Sequence, residues 1–220
     1  MTVKQFFKST AFKSLAVLLS IVILAGALLA IFNDLLFVSS EERFARSMKK
    51  IYGGNATVKQ TVLAADDKAV AVGDATVNQV YLMDDGNYLV QTTGNGGYQG
   101  GSITVWVIFA CTGSKAGNNL KWNGIERVVY ESNNKQSYID RFSDADYALF
   151  ASHNAQLLEG KLFDDGITVV KTGASAPLTF GALTTAVNAA VIYFKANILG
   201  EEEESLYKFD SWVDLEKSEW

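Results

Sequence analysis

Cysteine, histidine and proline are almost missing from this chain, which has one of each in 220 residues. A single thiol, Cys111, can form neither an internal disulfide nor an iron–sulfur ligand set, and its place at the end of an apolar run makes burial its expected state. Redox chemistry would therefore have to come from a bound organic cofactor. His153 is the only imidazole and stands in a polar, helix-like stretch. It completes no metal-ligand cluster, no Ser-His-Asp constellation can be assembled without it, and a lone histidine is more often structural or exposed than catalytic. A basic excess is missing too. Nineteen Lys and Arg stand against 24 Asp and Glu for a net charge of −5, which leaves no electrostatic footprint for nucleic acid. No internal repeat or long linker divides the sequence, and its length allows an apolar anchor plus one domain of roughly 160 to 180 residues.

The long apolar run comes first. Residues 14–32 carry no charge, and at about 1.5 Å rise per residue they nearly cross the hydrocarbon layer of a bilayer. Lys4, Lys8 and Lys13 precede the run while Asp34, Glu41 and Glu42 follow it, which predicts a single-pass cell-membrane protein with a cytoplasmic N-terminus and the rest outside. A cleaved signal peptide is the competing reading; the run is longer than the usual h-region, which favours a retained anchor. The resulting division is a cytoplasmic N-terminus at 1–13, the anchor at 14–37, one domain at 38–198 and an acidic tail at 199–220. Phe37, Phe44, Met48 and Ile51 recur at helical spacing, with Ser39 or Ser40 placed to cap before Glu42. This predicts a juxtamembrane helix over residues 35–51. Lys49 and Lys50 on it would either reach lipid headgroups or lie on a solvated face.

From Thr57 to Phe109 the pattern changes to short β-like runs. Residues 75–83 and 88–92 flank Asp84-Asp85-Gly86-Asn87, a hairpin signal. The glycine-rich stretch from Gly94 to Gly101 then leads into a β-branched, aromatic run at 102–110. Gln99 occupies the third-glycine place of a dinucleotide loop and a strand follows instead of a helix, so this is no Rossmann turn. Asn123-Gly124 reads as a turn before a strand at 125–130, residues 132–142 read as irregular, and 144–158 as a helix.

Ile167, Thr168, Val169 and Val170 have strand composition, Thr172-Gly173-Ala174-Ser175 cannot continue it, and Pro177 suits the first turn of a helix. Ala186, Val187, Ala190, Val191 and Phe194 then repeat at helical spacing, and Gly200 is a natural stop. A strand–turn–helix junction aims unpaired N–H groups and a helix dipole at one spot, where an anion such as phosphate would be held. A small-residue helix packed closely on a sheet would leave the same pattern. The tail after Gly200 would either dock on a partner or cover the domain's own surface.

The order of parts resembles the FMN-binding domain of the RnfG and NqrC subunits of membrane-bound, ion-translocating oxidoreductases. The resemblance rests on the anchor, Gly97-Tyr98-Gln99-Gly100 before a long apolar strand, an Asn-Gly pair before a strand ending in Glu131-Ser132, and Thr172-Gly173-Ala174-Ser175 before an Ala-Val-rich helix. It covers the chain from the anchor to about Asn197. It implies an α+β fold, a single transmembrane helix followed by an extracytoplasmic domain whose antiparallel sheet is flanked by helices. It also implies covalent FMN, esterified through its phosphate to the last hydroxyl of the signature, here Ser175, with Thr172, Gly173 and Ala174 around it. Thr179 is a further nearby hydroxyl, Tyr98 would pack on the flavin or its ribityl chain, and Glu131 would hydrogen-bond it. The chain departs from the family pattern in having Ser175 for threonine, Val169 for an aspartate, Ser132 for threonine, and a longer step across residues 176–180.

The function implied is that of an electron-transfer subunit, a one-station relay on the outer membrane face of an Rnf- or Nqr-type complex. Its partners would be lipid and the other membrane subunits, and alone it would turn over no substrate. A flavin-free scaffold subunit of the same complex and a membrane-tethered flavoprotein of extracellular electron transfer are the alternatives.

Overall fold

The computed structural model describes residues 10–36, 39–54, 57–65, 67–163, 166–167 and 176–201. The chain forms two compact units, Met1–Ser47 and Met48–Trp220.

In the first unit, helix α1 spans Thr10–Leu36 and extends past both ends of the expected run. Its aliphatic side chains are exposed, Leu18 at 62% and Leu29 at 71%. Ser20, a polar residue within it, donates its hydroxyl to the Ala16 carbonyl one turn back, so the helix satisfies its own hydrogen bonds. Length and composition suffice to cross a membrane. Helix α2, Ser40–Tyr52, begins later than the expected residue 35, because Leu35 and Leu36 belong to α1. Ser39 caps α2 by accepting the Glu42 N–H.

The second unit is built on an antiparallel sheet of six strands: β1 (Val58–Leu63), β2 (Val70–Val72), β3 (Ala75–Met83), β4 (Tyr88–Gly94), β5 (Ser102–Thr112) and β6 (Lys121–Asn134). The order is β1-β3-β4-β5-β6, with β2 also on β3, so β3 to β6 form a simple meander. The β3–β4 hairpin turns where expected. Gly86 takes φ +92°, a left-handed conformation that suits glycine, and the Asp85 side chain accepts the Asn87 N–H.

Asn123-Gly124 is not a turn. Both residues lie inside β6, where Gly124 at φ +109° sits beside an irregularity in the β5–β6 register. A β-bulge uses the same glycine chemistry as a turn, and here the missing Cβ admits the Asn154 side chain, which would lie 2.3 Å from it. Asn154 then donates to the Ile125 carbonyl and accepts its N–H, standing in for a neighbouring strand. Residues 132–134, expected to be irregular, continue β6.

The expected 144–158 helix is two helices, α3 (Asp144–Ser152) and α4 (Asn154–Leu158), broken at His153. Ser143 and Asp146 form a capping box at the start of α3. Strands β7 (Leu162–Phe163) and β8 (Gly166–Ile167) pair in parallel. Helix α5, Pro177–Tyr193, has its proline at the N-terminus as expected. It runs on through a π-helical end, Phe194–Leu199, and Gly200 stops it at φ +76°.

Helix α5 covers one sheet face and makes the main core with Val77, Val90, Val105, Val107 and Phe109. Gly94 is where the two meet most closely, since a Cβ there would lie 2.1 Å from the Ala182 carbonyl oxygen. Tyr81, Leu89, Trp106 and Ile108 form a smaller core with Met48 and Ile51 from the last turn of α2. The fold is thus mixed α and β, with an antiparallel sheet and an N-terminal apolar helix able to span a membrane.

Candidate functional site

Three of the segments singled out in the sequence meet at one corner of the sheet. The link between β4 and β5 holds a single 3-10 turn, Tyr98–Gly100, with Gln99 at φ +52° and Gly100 at φ +67°. This loop is fastened by Gln136, just past the end of β6, whose side chain is 1% exposed. Its carbonyl oxygen accepts the Tyr98 N–H at 3.0 Å and the Thr179 hydroxyl at 3.0 Å. Its amide donates to the Tyr98 carbonyl at 3.0 Å and the Asn134 carbonyl at 3.2 Å. One buried amide therefore ties the glycine loop, the end of β6 and the first turn of α5 together, with both its donors and its acceptor in use.

Gly97 and Gly101 make the arrangement possible. A Cβ on either would come within 3 Å of the Gln136 side chain. The glycines of this connection thus let chain segments pass closely. Gly96 and Gly100 face open space, and Tyr98 holds its ring 44% exposed beside them.

A groove of about 770 Å³ runs along β6, lined by Tyr130, Ile139, Phe142 and Tyr147, with Lys50 and Arg127 and the acids Glu126, Asp140 and Asp144 as its charged members. It adjoins the same corner. Phe142 stacks on Phe180 of the first turn of α5 at 6.1 Å, and Asn133 accepts the Gln136 N–H while donating to the Tyr130 hydroxyl. Burial and the surrounding acidic groups raise the Tyr147 phenol above its ordinary range, so it stays protonated and able to donate.

The predicted site residues divide. Tyr98 and Thr179 come together through Gln136. Thr179, however, is 1% exposed with its hydroxyl given to Gln136, so it holds the scaffold and offers no free hydroxyl for an ester. Glu131 lies elsewhere. It accepts from Gln91, which pairs across the ladder with Trp106 and so shares the face of the smaller core, opposite α5. There it ends a chain of side chains running from Tyr81 to Gln79 to Gln91. Thr172, Gly173, Ala174 and Ser175 lie outside the described residues, which resume at Ala176, buried at the start of α5.

Sequence reasoning missed Gln136, Tyr130, Phe142 and Tyr147. Their partners lie far off along the chain, 38 residues for Gln136 and Tyr98, and no local pattern marks them. Cys111 is buried as expected, and burial pushes its thiol up to about 12. His153 is held by the Leu149 carbonyl at a helix break, a structural role. Among the described residues no group of three or more His, Cys, Asp or Glu gathers to hold a metal.

Comparisons with protein-family models, with curated proteins and with solved structures gave no match to this chain.

Proposed function

We propose that this chain is a membrane-anchored, electron-carrying flavin subunit of the kind found in Rnf- and Nqr-type complexes. The observation that carries the reading is the corner tied by Gln136, where the glycine-tyrosine loop, the start of α5 and an aromatic groove converge next to Ala176. A groove of about 770 Å³ lies within the range of small-molecule sites. Its lining sets Tyr130, Phe142 and Tyr147 among aliphatic residues and the charged Lys50, Glu126, Arg127, Asp140 and Asp144, and the three rings offer faces to a flat heteroaromatic ring. These rings are what supports FMN in this reading, and the phosphate would lie away from Glu126, Asp140 and Asp144, at the start of α5.

In this reading Ser175 carries the phosphate as an ester, with Thr172, Gly173 and Ala174 around it. The N-terminal amides of α5, which no side chain caps, offset the phosphate charge. Thr179 positions the helix start through Gln136 and takes no ester. Tyr98 lies against the cofactor at the loop, and Tyr130, Phe142 and Tyr147 receive the ring and exclude water from one side of it. Glu131, on the other sheet face, has no direct part. FMN supplies the redox chemistry, and the chain binds and orients it without turning over a substrate of its own.

Helix α1 anchors the domain, with the N-terminus cytoplasmic and the domain on the outer face. Lysine and arginine do not set that orientation, since three, Lys4, Lys8 and Lys13, precede the apolar run and four, Arg43, Arg46, Lys49 and Lys50, follow it; the reading rests on the lysines next to the run on one side and Asp34, Glu41 and Glu42 on the other. Protease added to intact cells tests it directly and should digest the domain; protection would reverse the orientation. The visible absorption spectrum of the native, membrane-extracted protein tests the cofactor. A flavin band near that of free FMN is expected, and a colourless preparation from cells that make covalent flavoproteins would leave a scaffold subunit in its place.

A further inference from the structure

A second groove, of about 440 Å³, lies at the end of the sheet away from the Gln136 corner, between the edge strand β1, the β5–β6 connection and the last turn after α5. Val62, Leu82, Leu120 and Ile198 give it apolar walls, and its charged members are Lys59 and Lys115, with no acid in the lining. Val62 and both lysines are exposed. Among the described residues neither lysine has a carboxylate within 4.0 Å. Lys115 is held in place by donating to the Asn197 carbonyl at 2.6 Å, and an ammonium has three N–H groups to give. The groove is therefore an apolar surface rimmed with positive charge that nothing in the domain balances.

The missing acid stands next along the chain. Residues 201–220 hold eight of the 24 acids and two of the 19 Lys and Arg, which leaves 16 acids and 17 bases in residues 1–200. The net negative charge thus belongs to this one segment. Its first acid, Glu201, is already engaged, since its N–H donates to the Lys195 carbonyl and its carboxylate lies 4.0 Å from the Lys195 ammonium. Glu202, Glu203 and Glu204 come next, and Leu206 and Phe209 follow them. Asn197 and Ile198 themselves line the groove, so the three acids are only four to six residues from its wall, within roughly 14 to 22 Å even for a fully extended chain. Exposed ion pairs are individually weak, which disfavours a separate anion there, whereas a segment tethered this closely is present at an effective concentration on the order of millimolar. We infer that the acidic segment docks in this groove of its own chain, with Glu202, Glu203 and Glu204 against Lys59 and Lys115 and Leu206 on the apolar wall. The inference is independent of the flavin and of the membrane span.

The test uses the full chain in an uncharged detergent, with isotope-labelled and unlabelled protein mixed in equal amounts. A water-soluble carbodiimide joins carboxylates to lysine amines in contact with them, and the joined peptides are identified by mass spectrometry. Links from Lys59 or Lys115 to the peptide holding Glu202, Glu203 and Glu204 are expected, each within a single isotope. Lys135, exposed just past the other end of β6, should form none. The links should fade near 1 M salt, where the Debye length is about 3 Å. Acylation of Lys59 and Lys115 should run about two- to fivefold faster in the Glu202→Gln, Glu203→Gln, Glu204→Gln triple variant, the factor for exposed ion pairs, with Lys135 unchanged. Absence of the links, links equally frequent at Lys135, or acylation unaltered in the triple variant overturns the inference. Links of mixed isotope place the segment on a second copy and overturn it as well.

Discussion

Helix α1 and the helix over Pro177–Leu199 are both long and apolar enough to cross a membrane, yet Phe12–Leu29 of the first is 0% buried and the second 78%. Hydropathy alone does not separate them; the polar residues they carry do. Residues 14–32 hold only Ser14 and Ser20 as polar side chains, and Ser20 bonds within its own helix. The buried helix carries Thr179, Asn188 and Lys195 at 5% exposure or less, and each finds a partner on another element. Asn188 both accepts the Phe163 N–H and donates to its carbonyl, and Lys195 lies over the Trp122 ring while donating to the Leu157 carbonyl. Such groups would be costly against lipid and are at home against a protein surface that completes their hydrogen bonds. The contrast separates a helix whose buried polar groups are met by other elements of the domain from one whose aliphatic side chains stay exposed.

The sharpest break in that contrast is at Gly94. Gly94→Val would drive its side chain into the backbone of α5 at Ala182 and Ala186, and it should cost about 4 kcal/mol or more and abolish the folded domain in urea titrations followed by tryptophan fluorescence. Leu183→Ala, at a fully buried position of α5, should cost about 2 to 5 kcal/mol in the same assay. Asn188→Ala leaves both backbone groups of Phe163 without their partner and should cost about 1 to 3 kcal/mol. By contrast, Leu24→Ala in α1, at an exposed position, should leave the domain's unfolding within about 0.5 kcal/mol of wild type. A large effect there would mean that α1 packs on protein.

Smaller still is a dependence on pH. Burial pushes the Cys111 thiol up to about 12 and raises the phenols of Tyr52 and Tyr147. The folded chain holds these protons more tightly than the unfolded chain, so their contribution is intact below about pH 8.5 and is lost as pH rises through 9 toward 12. Stability measured across that range should fall with rising pH. Cys111 should also resist alkylation at pH 8 until the protein is unfolded.

The β3–β4 hairpin, the long β5 strand, the proline start of α5 and its glycine stop were legible because each depends on residues adjacent in sequence. Asn123-Gly124 misled for the same reason. The dipeptide reports a need for positive φ, and only Asn154, thirty residues on, reveals that a bulge uses it. The candidate site was half legible. The glycine-tyrosine loop and the helix start stood out, whereas Gln136 and the aromatic groove depend on contacts between distant segments. Thr179 and Glu131 were placed by composition and family order, which carry no information on where a hydroxyl's bond goes or which sheet face a carboxylate takes.

The central claim concerns one ester bond at the start of α5, and denaturing electrophoresis tests it most directly. Wild-type chain made beside its native flavin transferase should give a fluorescent band that survives denaturation, with the flavin mapped by mass spectrometry to the peptide holding Ser175. Ser175→Ala should lose that band, while Thr179→Val, whose hydroxyl is already committed to Gln136, should keep it. A wild-type band with no fluorescence, or fluorescence that persists in Ser175→Ala, would contradict the account.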